Sequence, residues 1–358
     1  MPDTIPASIS QRPASIEPVN AIPDRLLAAA VLREEAESHG FTRFGIAKAD
    51  RPERFDRFES WVAAGRNAGM RYLAETLEAR RSPESLLPGA RSVVCLAAPY
   101  SGAPYEAADG SRMARYARGS DYHGTLRGQA LKVVARAGER LGGGGSFRVC
   151  VDSTPLAERS FAAAAGLGWI GKNGCLIAPD QGSYLLLAEI LTDLDLPVDA
   201  PLAEQCGSCV RCLEACPTDA FLEPGVLDAG RCIAYWTIEH RGAIPDAWKE
   251  QLADHVFGCD VCQEVCPWNA PLHGLAADRP PTRSEILAMG KGAWRRRFGK
   301  TAVNRAARRG LQRNAAASAG ARKDAACLPA LRHTAGVAEP GLRDASEWAE
   351  KQLRRLPL

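Results

Sequence analysis

Apolar positions recur at helical spacing in LLAAAVLREEAESH, which follows Asp24 and stops at Gly40. Asp24, just after Pro23, can cap the N-terminus and Gly40 can end the run, so the pattern predicts an amphipathic helix. FTRFGIAKA (41–49) reads as a strand. Residues 52–79 carry Phe55, Phe58, Trp61 and Val62, then Met70, Tyr72 and Leu73, which predicts two helical pieces broken by Gly65 and Gly69. The apolar run RSVVCLAAPY (91–100) predicts a buried strand. A polar, glycine-rich loop leads to RYARGSDYH (115–123), then a helix to about Leu141, ended by four glycines at 142–145. FRVCVD (147–152) predicts a strand with Asp152 at its C-terminal end, followed by a helix from about Pro155 to Ala165. GLGWIGKNG (166–174) is a four-glycine loop expected to bring backbone close to a ligand. LIAP and SYLLLAEILTDL are expected to complete the sheet, and this alternation of strands and helices predicts an α+β, mixed-sheet domain.

The pattern changes at Cys206. CGSCVRCLEACP (206–217) reads C-x2-C-x2-C-x3-C-P, the run by which bacterial two-cluster ferredoxins hold [4Fe–4S] clusters. CDVCQEVCP (259–267) supplies C-x2-C-x3-C-P, and Cys232 lies between the two groups. Eight thiols suit two clusters, and the fourth Cys of such a run ligates the other cluster. The spacing therefore assigns Cys206, Cys209, Cys212 and Cys266 to one cluster, and Cys216, Cys232, Cys259 and Cys262 to the second. Zinc needs only four ligands and favours paired knuckles, so it fits this spacing poorly. Cys95, Cys150 and Cys175 sit in apolar strand contexts and read as small core residues, and Cys327 gets no role.

Composition narrows the class. Of 358 residues, 46% are apolar and 24% charged, an ordinary globular balance. No apolar run approaches the roughly 18 residues of a membrane helix. Residues 1–22 have neither a basic n-region nor an apolar h-region and read as a disordered leader. Thiolate-rich chemistry of this kind predicts a reduced, cytoplasmic setting. The remaining divisions expected are 23–201 before the clusters, 202–280 as a ferredoxin-like module and 281–358 as a short helical-repeat-like tail. No phosphate-binding P-loop occurs, and GLGWIG follows a helix rather than a strand, so a Rossmann site is rejected.

The net charge of +3 is unevenly spread. Nine Lys or Arg and no acid lie between Lys291 and Arg313, including Arg295, Arg296, Arg297, Arg305, Arg308 and Arg309. Such density is an electrostatic footprint for phosphate, or else a solvated helix face. Asp152-Ser153-Thr154-Pro155 is open to two readings, a carboxylate facing a ligand cavity or a helix N-cap.

At YARGSDYH, VDSTPLAERSFAAAAGLGWIGKNG, the ferredoxin run, RCIAYWTIEHRGAIP and CDVCQEVCPWN, the chain closely resembles the epoxyqueuosine reductase family over roughly residues 24–320. That resemblance implies cobalamin, whose cobalt would be the reactive centre, and two [4Fe–4S] clusters relaying electrons from an external low-potential donor. The reaction it implies is reduction of epoxyqueuosine to queuosine at the wobble position of a tRNA anticodon. Residues 23–201 would then be a cobalamin-binding domain akin to nitroreductases and reductive dehalogenases. The resemblance favours Asp152 as proton donor, its pKa raised by desolvation, with Ser153 or Thr154 as the cap. Tyr116, Arg118, Asp121, Tyr122 and His123 match its YARGxDYH segment. Expected corrinoid contacts are Arg81, Tyr116, Asp152, Lys172, Gly258 and Asp260, and Arg159 flanks the same loop. The corrinoid pattern D-x-H-x-x-G is started by Asp121 and His123, but Leu126 stands at the Gly position. Trp236, His240 and Arg241, on a helix at 231–242, together with Arg295, Arg296 and Arg297, are expected to meet the anticodon stem-loop, and a monomer is expected. A reductive dehalogenase is the competing enzyme reading, and a ferredoxin fused to a structural domain the competing non-enzyme one. The second cluster is expected nearer the cobalt.

Overall fold

The structure, a computed structural model, describes residues 24–272 and 278–354. The expected leader lies outside the described residues. Asp24 caps α1 (Arg25–Ser38) through its side chain, which accepts the Leu26 N–H, and Gly40 takes φ 91° just past the helix end. β1 (Arg43–Lys48) follows. The second helical stretch comes as α2 (Phe55–Ala63) and two single turns, α3 (Tyr72–Glu75) and α4 (Leu77–Arg81). Next come β2 (Ser92–Pro99), the short β3 (Arg112–Met113) and α5 (Tyr122–Arg140), then β4 (Phe147–Cys150) and α6 (Glu158–Ala164). The two-residue strands β5 (Trp169–Ile170) and β6 (Leu176–Ile177) pair with each other, and β7 (Leu185–Thr192) ends the series.

The central sheet has the order β1-β2-β7-β4 and is antiparallel throughout. Two expectations are corrected here. The sheet is not mixed, because each of its neighbouring strand pairs runs in opposite directions. Leu176–Ile177 does not join it, because that segment pairs with Trp169–Ile170 instead. Side chains alternate across the sheet. Ile46, Val94, Ile190 and Val149 bury one face against α1 and α5, while Val93, Cys95, Leu191 and Cys150 bury the other against α6. Gly45 lies under α6, where a Cβ would overlap the Ala165 carbonyl oxygen, so only glycine fits there.

The cysteine segments form two similar turns, ending in α7 (Arg211–Glu214) and α9 (Val261–Glu264). Between them lie the hairpin β8 (Phe221–Glu223) and β9 (Val226–Leu227), a π-helical turn at Tyr235–Glu239, α8 (Asp246–Gln251) and β10 (His255–Phe257). β10 pairs in parallel with β3, stitching the cluster segment to the first domain. The expected helix at 231–242 is therefore mostly a π-turn that stops at His240.

The chain continues through α10 (Arg283–Ala288), α11 (Lys291–Phe298), α12 (Ala307–Ala321), α13 (Leu328–Ala335) and α14 (Pro340–Arg354). α12 is buried from Leu311 to Gly320, and Gly320 lets it meet Trp348 of α14. These helices share one apolar core with Tyr105, Met113, Val256 and Phe257. The tail is packed into the rest of the molecule.

Candidate functional site

A cavity of about 320 Å³ opens between the first domain and the π-turn. Met70, Tyr72, Tyr116, Tyr122 and Tyr235 give it flat, largely apolar walls, and His123, Asp152, Glu239 and Arg305 supply its ionisable groups. Cys232 is also on its wall.

Asp152 reaches this wall because the chain reverses after β4. Its φ is 44°, in the left-handed region, which costs a non-glycine residue roughly 1–3 kcal/mol unless its surroundings enforce it. Its carboxylate accepts the Tyr122 hydroxyl at 3.0 Å and lies 2.5 Å from His123 Nε2. His123 Nδ1 lies 2.6 Å from Asp121, which caps α5. The carboxylates of Asp152 and Asp121 push the imidazole up to about 9 against the opposing effect of burial, so His123 is an imidazolium at neutral pH. Burial pushes Asp152 up, but the hydrogen bond and charge of His123 outweigh it. Asp152 settles below the usual carboxylate range.

Two expectations about Asp152 are thereby corrected. Its pKa is not raised, because a cation stands 2.5 Å away. Neither Ser153 nor Thr154 caps α6. The cap position is Ala157, without a side-chain bond, and the Ser153 hydroxyl turns back toward the Val151 carbonyl. The N-cap reading of Asp152 falls for the same reason.

Within each of the two sets expected from spacing, thiols lie close enough to act on one another. Cys212 is pushed up to about 11 by burial and by Cys206, Cys266 and Cys209. Cys259 is pushed up to about 12 by burial, with Cys232 and Cys216 adding to it, and Cys262, raised mainly by burial, feels Cys175 first and then Cys259 and Cys232. Thiols that raise one another in this way are a ready set for a positive cluster core. Trp169 Nε1 is buried without an oxygen or nitrogen partner and lies against the Cys206 sulfur, a donor of the kind that tunes clusters. Among the described residues no group of three or more His, Cys, Asp or Glu converges on a single metal ion. A cubane asks for a looser tetrad, since each thiolate binds a different iron. Cys175 lies at the turn before β6 rather than inside a strand, its thiol raised by burial and near Cys262, Cys212 and Cys266.

Of the expected corrinoid contacts, Tyr116 and Asp152 line the cavity. Arg81 does not, and is paired with Glu59 and Glu78. Lys172 donates to the carbonyls of Gly207 (2.5 Å) and Cys209 (3.0 Å), bracing the first cysteine turn. Asp260 is buried, accepts the Arg115 N–H at 2.6 Å and faces its guanidinium, and Gly258 packs against Ala114 and donates its N–H to Thr237. Two glycines of 166–174 admit the chain's own backbone: a Cβ on Gly166 would overlap the Ala200 oxygen and one on Gly168 the Ile177 oxygen, while Gly171 lies against the Ile177 side chain. Arg159 donates to the Gly174 carbonyl.

Among the expected RNA contacts, Arg241, Arg295, Arg296 and Arg297 are exposed. Trp236 is buried, stacked on Trp248 with its Nε1 on the Gly230 carbonyl, and so cannot stack on a base. His240 is half-buried against Trp236, and burial holds its pKa down. Arg313 belongs to no phosphate footprint. It is buried and donates to the carbonyls of Trp236, His240 and Gly242. Arg305, set in the same basic stretch, pairs with both oxygens of Glu239 at 2.9 and 2.8 Å on the cavity wall. Sequence reasoning missed this cavity role of Arg305, and no local signal separates it from its neighbours. It also missed Glu158, whose carboxylate accepts the Asp152 N–H, and Glu189, fully buried on β7.

The family of epoxyqueuosine reductase QueG, DUF1730, matches residues 80–153, and that of the 4Fe-4S double cluster binding domain matches 205–269. An epoxyqueuosine reductase of Gloeobacter violaceus is 41% identical over 312 residues, covering 83% of this chain and 97% of the relative. The chain belongs to the epoxyqueuosine reductase family. An epoxyqueuosine reductase solved with an epoxyqueuosine-modified tRNA-Tyr stem loop aligns over 91% of this chain and 94% of its own, with TM-score 0.79 and 30% identity. The Bacillus subtilis reductase, solved with its aspartate catalytic loop swung out of the active site, covers 90% of this chain and 89% of its own, with TM-score 0.79 and 30% identity. The chain is thus an oxidoreductase with a double-cluster domain. Among the described residues no helix is long and apolar enough to cross a membrane.

Proposed function

We propose that this enzyme reduces the epoxide of epoxyqueuosine to the alkene of queuosine in the anticodon stem-loop of a tRNA. The observation that carries the reading is one wall bearing both an acid–base couple, Asp152 with His123, and a cluster-binding residue, Cys232. The net change breaks both C–O bonds of the epoxide, forms a C=C bond and releases water. It consumes two electrons and two protons.

Each of these demands has a candidate in the chain. Cys216, Cys232, Cys259 and Cys262 would hold the cluster beside the cavity, and Cys206, Cys209, Cys212 and Cys266 the outer one, which receives electrons from an external donor. The proton for the departing oxygen is stored between His123 and Asp152, with Asp152 the oxygen that faces the substrate and Tyr122 donating to it. Proton delivery by a positioned couple contributes typically 10²–10⁴-fold.

Cobalamin is the further cofactor we propose for 23–201. The aromatic walls suit a flat apolar ring system, and the cavity, at about 320 Å³, accommodates only part of a corrinoid. Tyr116 and Asp152 would touch it, and when bound it supplies the strongly reducing centre that side chains lack. The exposed arginines of α11 and Arg241 would hold tRNA phosphates. Residues 202–280 act in this reading as the relay and 281–358 as the RNA-facing part of a cytoplasmic monomer. The Asp152 loop moves as in the Bacillus subtilis relative.

The test is anaerobic reconstitution with iron, sulfide and cobalamin, followed by assay of epoxyqueuosine-containing tRNA. Queuosine should form only with both cofactors present. Turnover without cobalamin would overturn the cofactor, and no turnover with fully loaded protein and a strong reductant would overturn the reaction.

A further inference from the structure

We propose that Glu158 is a positioning residue that latches the Asp152 loop over the cavity, and that Glu189 beneath it aims the latch. The inference rests on the role given to Asp152 above. A left-handed aspartate must be held by its surroundings: Tyr122 and His123 hold its side chain, and its backbone is held through the N–H. That N–H donates to the Glu158 carboxylate, which projects from the first turn of α6. No side chain caps α6 itself, so Glu158 is the group that ties helix to loop.

Glu189 explains the orientation. It lies in a row across the sheet, Gly45, Cys95, Glu189, Cys150, directly under α6. It is fully buried, its oxygens accept no hydrogen bond, and the polar group beside it is Glu158. Two carboxyls in contact in a dry layer cannot both ionise. Burial and the neighbouring Glu158 push Glu189 well above the usual carboxylate range, which favours the protonated form whose O–H can donate to Glu158. The chain of donors then runs from Glu189 O–H to Glu158 carboxylate, which also accepts the Asp152 N–H.

The latch is sensitive to pH. Burial, then the charge of Asp152, raise Glu158 to about 7, opposed by the Asp152 N–H, Glu189 and Arg159. The other groups facing it are Arg80, Tyr122 and the thiols of Cys95 and Cys150. As pH falls through about 7, Glu158 takes up a proton and its bond to the N–H loses charge assistance, roughly halving in strength.

Amide hydrogen exchange of the 151–157 segment, in cluster-loaded protein without cobalamin or tRNA, tests this apart from activity. At about pH 8, Glu158→Gln should expose the Asp152 amide about tenfold. Wild type should lose the same protection near pH 6 after correction for intrinsic rates, and Glu158→Gln should show no such pH step. Glu189→Gln keeps a donor and should stay protected, whereas Glu189→Leu should not. In assays kcat should fall in Glu158→Gln while tRNA affinity stays unchanged. Wild-type protection in Glu158→Gln, or in a folded Glu189→Leu, would overturn the latch. Lost protection in a protein that never reduces epoxyqueuosine would leave the latch standing and overturn the reaction.

Discussion

The Nε2 of His123 lies 2.5 Å from Oδ2 of Asp152, and with the imidazole raised to about 9 and the carboxyl lowered, the proton expected on the carboxyl is favoured on the ring. Asp152→Asn keeps the shape and removes the charge. Turnover should fall by about 10²–10⁴-fold, while cluster absorbance and cobalamin binding remain. Turnover within a few-fold of wild type would sink the assignment.

Because His123 is raised from 6.5 to about 9 in the folded protein, its contribution to stability is fully present below about pH 6.5. That contribution is lost as pH rises through about 9. Denaturant titrations at pH 6 and pH 10 should therefore differ more in wild type than in His123→Gln. The same titration should give kcat an alkaline limb near 9, absent from the variant.

The exposed arginines of α11 carry a different expectation. Replacing Arg295, Arg296 and Arg297 with Ala should weaken tRNA binding and reduce the salt slope by about 0.7–0.9 for each phosphate that is no longer neutralised. An unchanged slope in a binding titration refutes this binding surface.

Arg313 should matter to stability instead. Arg313→Ala strips donors from the carbonyls of Trp236, His240 and Gly242. Leaving buried acceptors unpaired costs about 1–3 kcal/mol each. A loss of at least about 2 kcal/mol is expected by chemical denaturation, against near-neutral effects for Arg295→Ala.

Cys232→Ser should remove the cluster beside the cavity and leave the other. Iron per chain should drop from about eight to about four after reconstitution. Retention of about eight irons would show that Cys232 is no ligand.

Much of the fold was legible because local signals agreed with tertiary ones. Asp24 and Gly40 bracket α1, and the apolar run 92–97 is buried in full. The double-cluster segment was legible because cluster geometry imposes a local spacing, and the double cluster binding domain matches 205–269. The π-turn was not, since the donors that hold its carbonyls, Arg313 and Asn314, lie 77 residues away. The arginines of 291–313 look alike in sequence, yet packing exposes Arg295, buries Arg313 and turns Arg305 into the cavity. Glu189 was hidden inside an apolar strand, and its significance depends on Glu158 arriving from another element.

Cys232 stands on the wall of an open cavity, and if it holds a cluster as proposed, the enzyme's weak point and its protection are the same surface. Any opening wide enough for a modified nucleoside admits dioxygen, so air should attack the cluster beside the cavity before the outer one. A tRNA seated over the mouth would close that route. The substrate would thereby double as a shield, leaving the idle enzyme as the form exposed to oxygen.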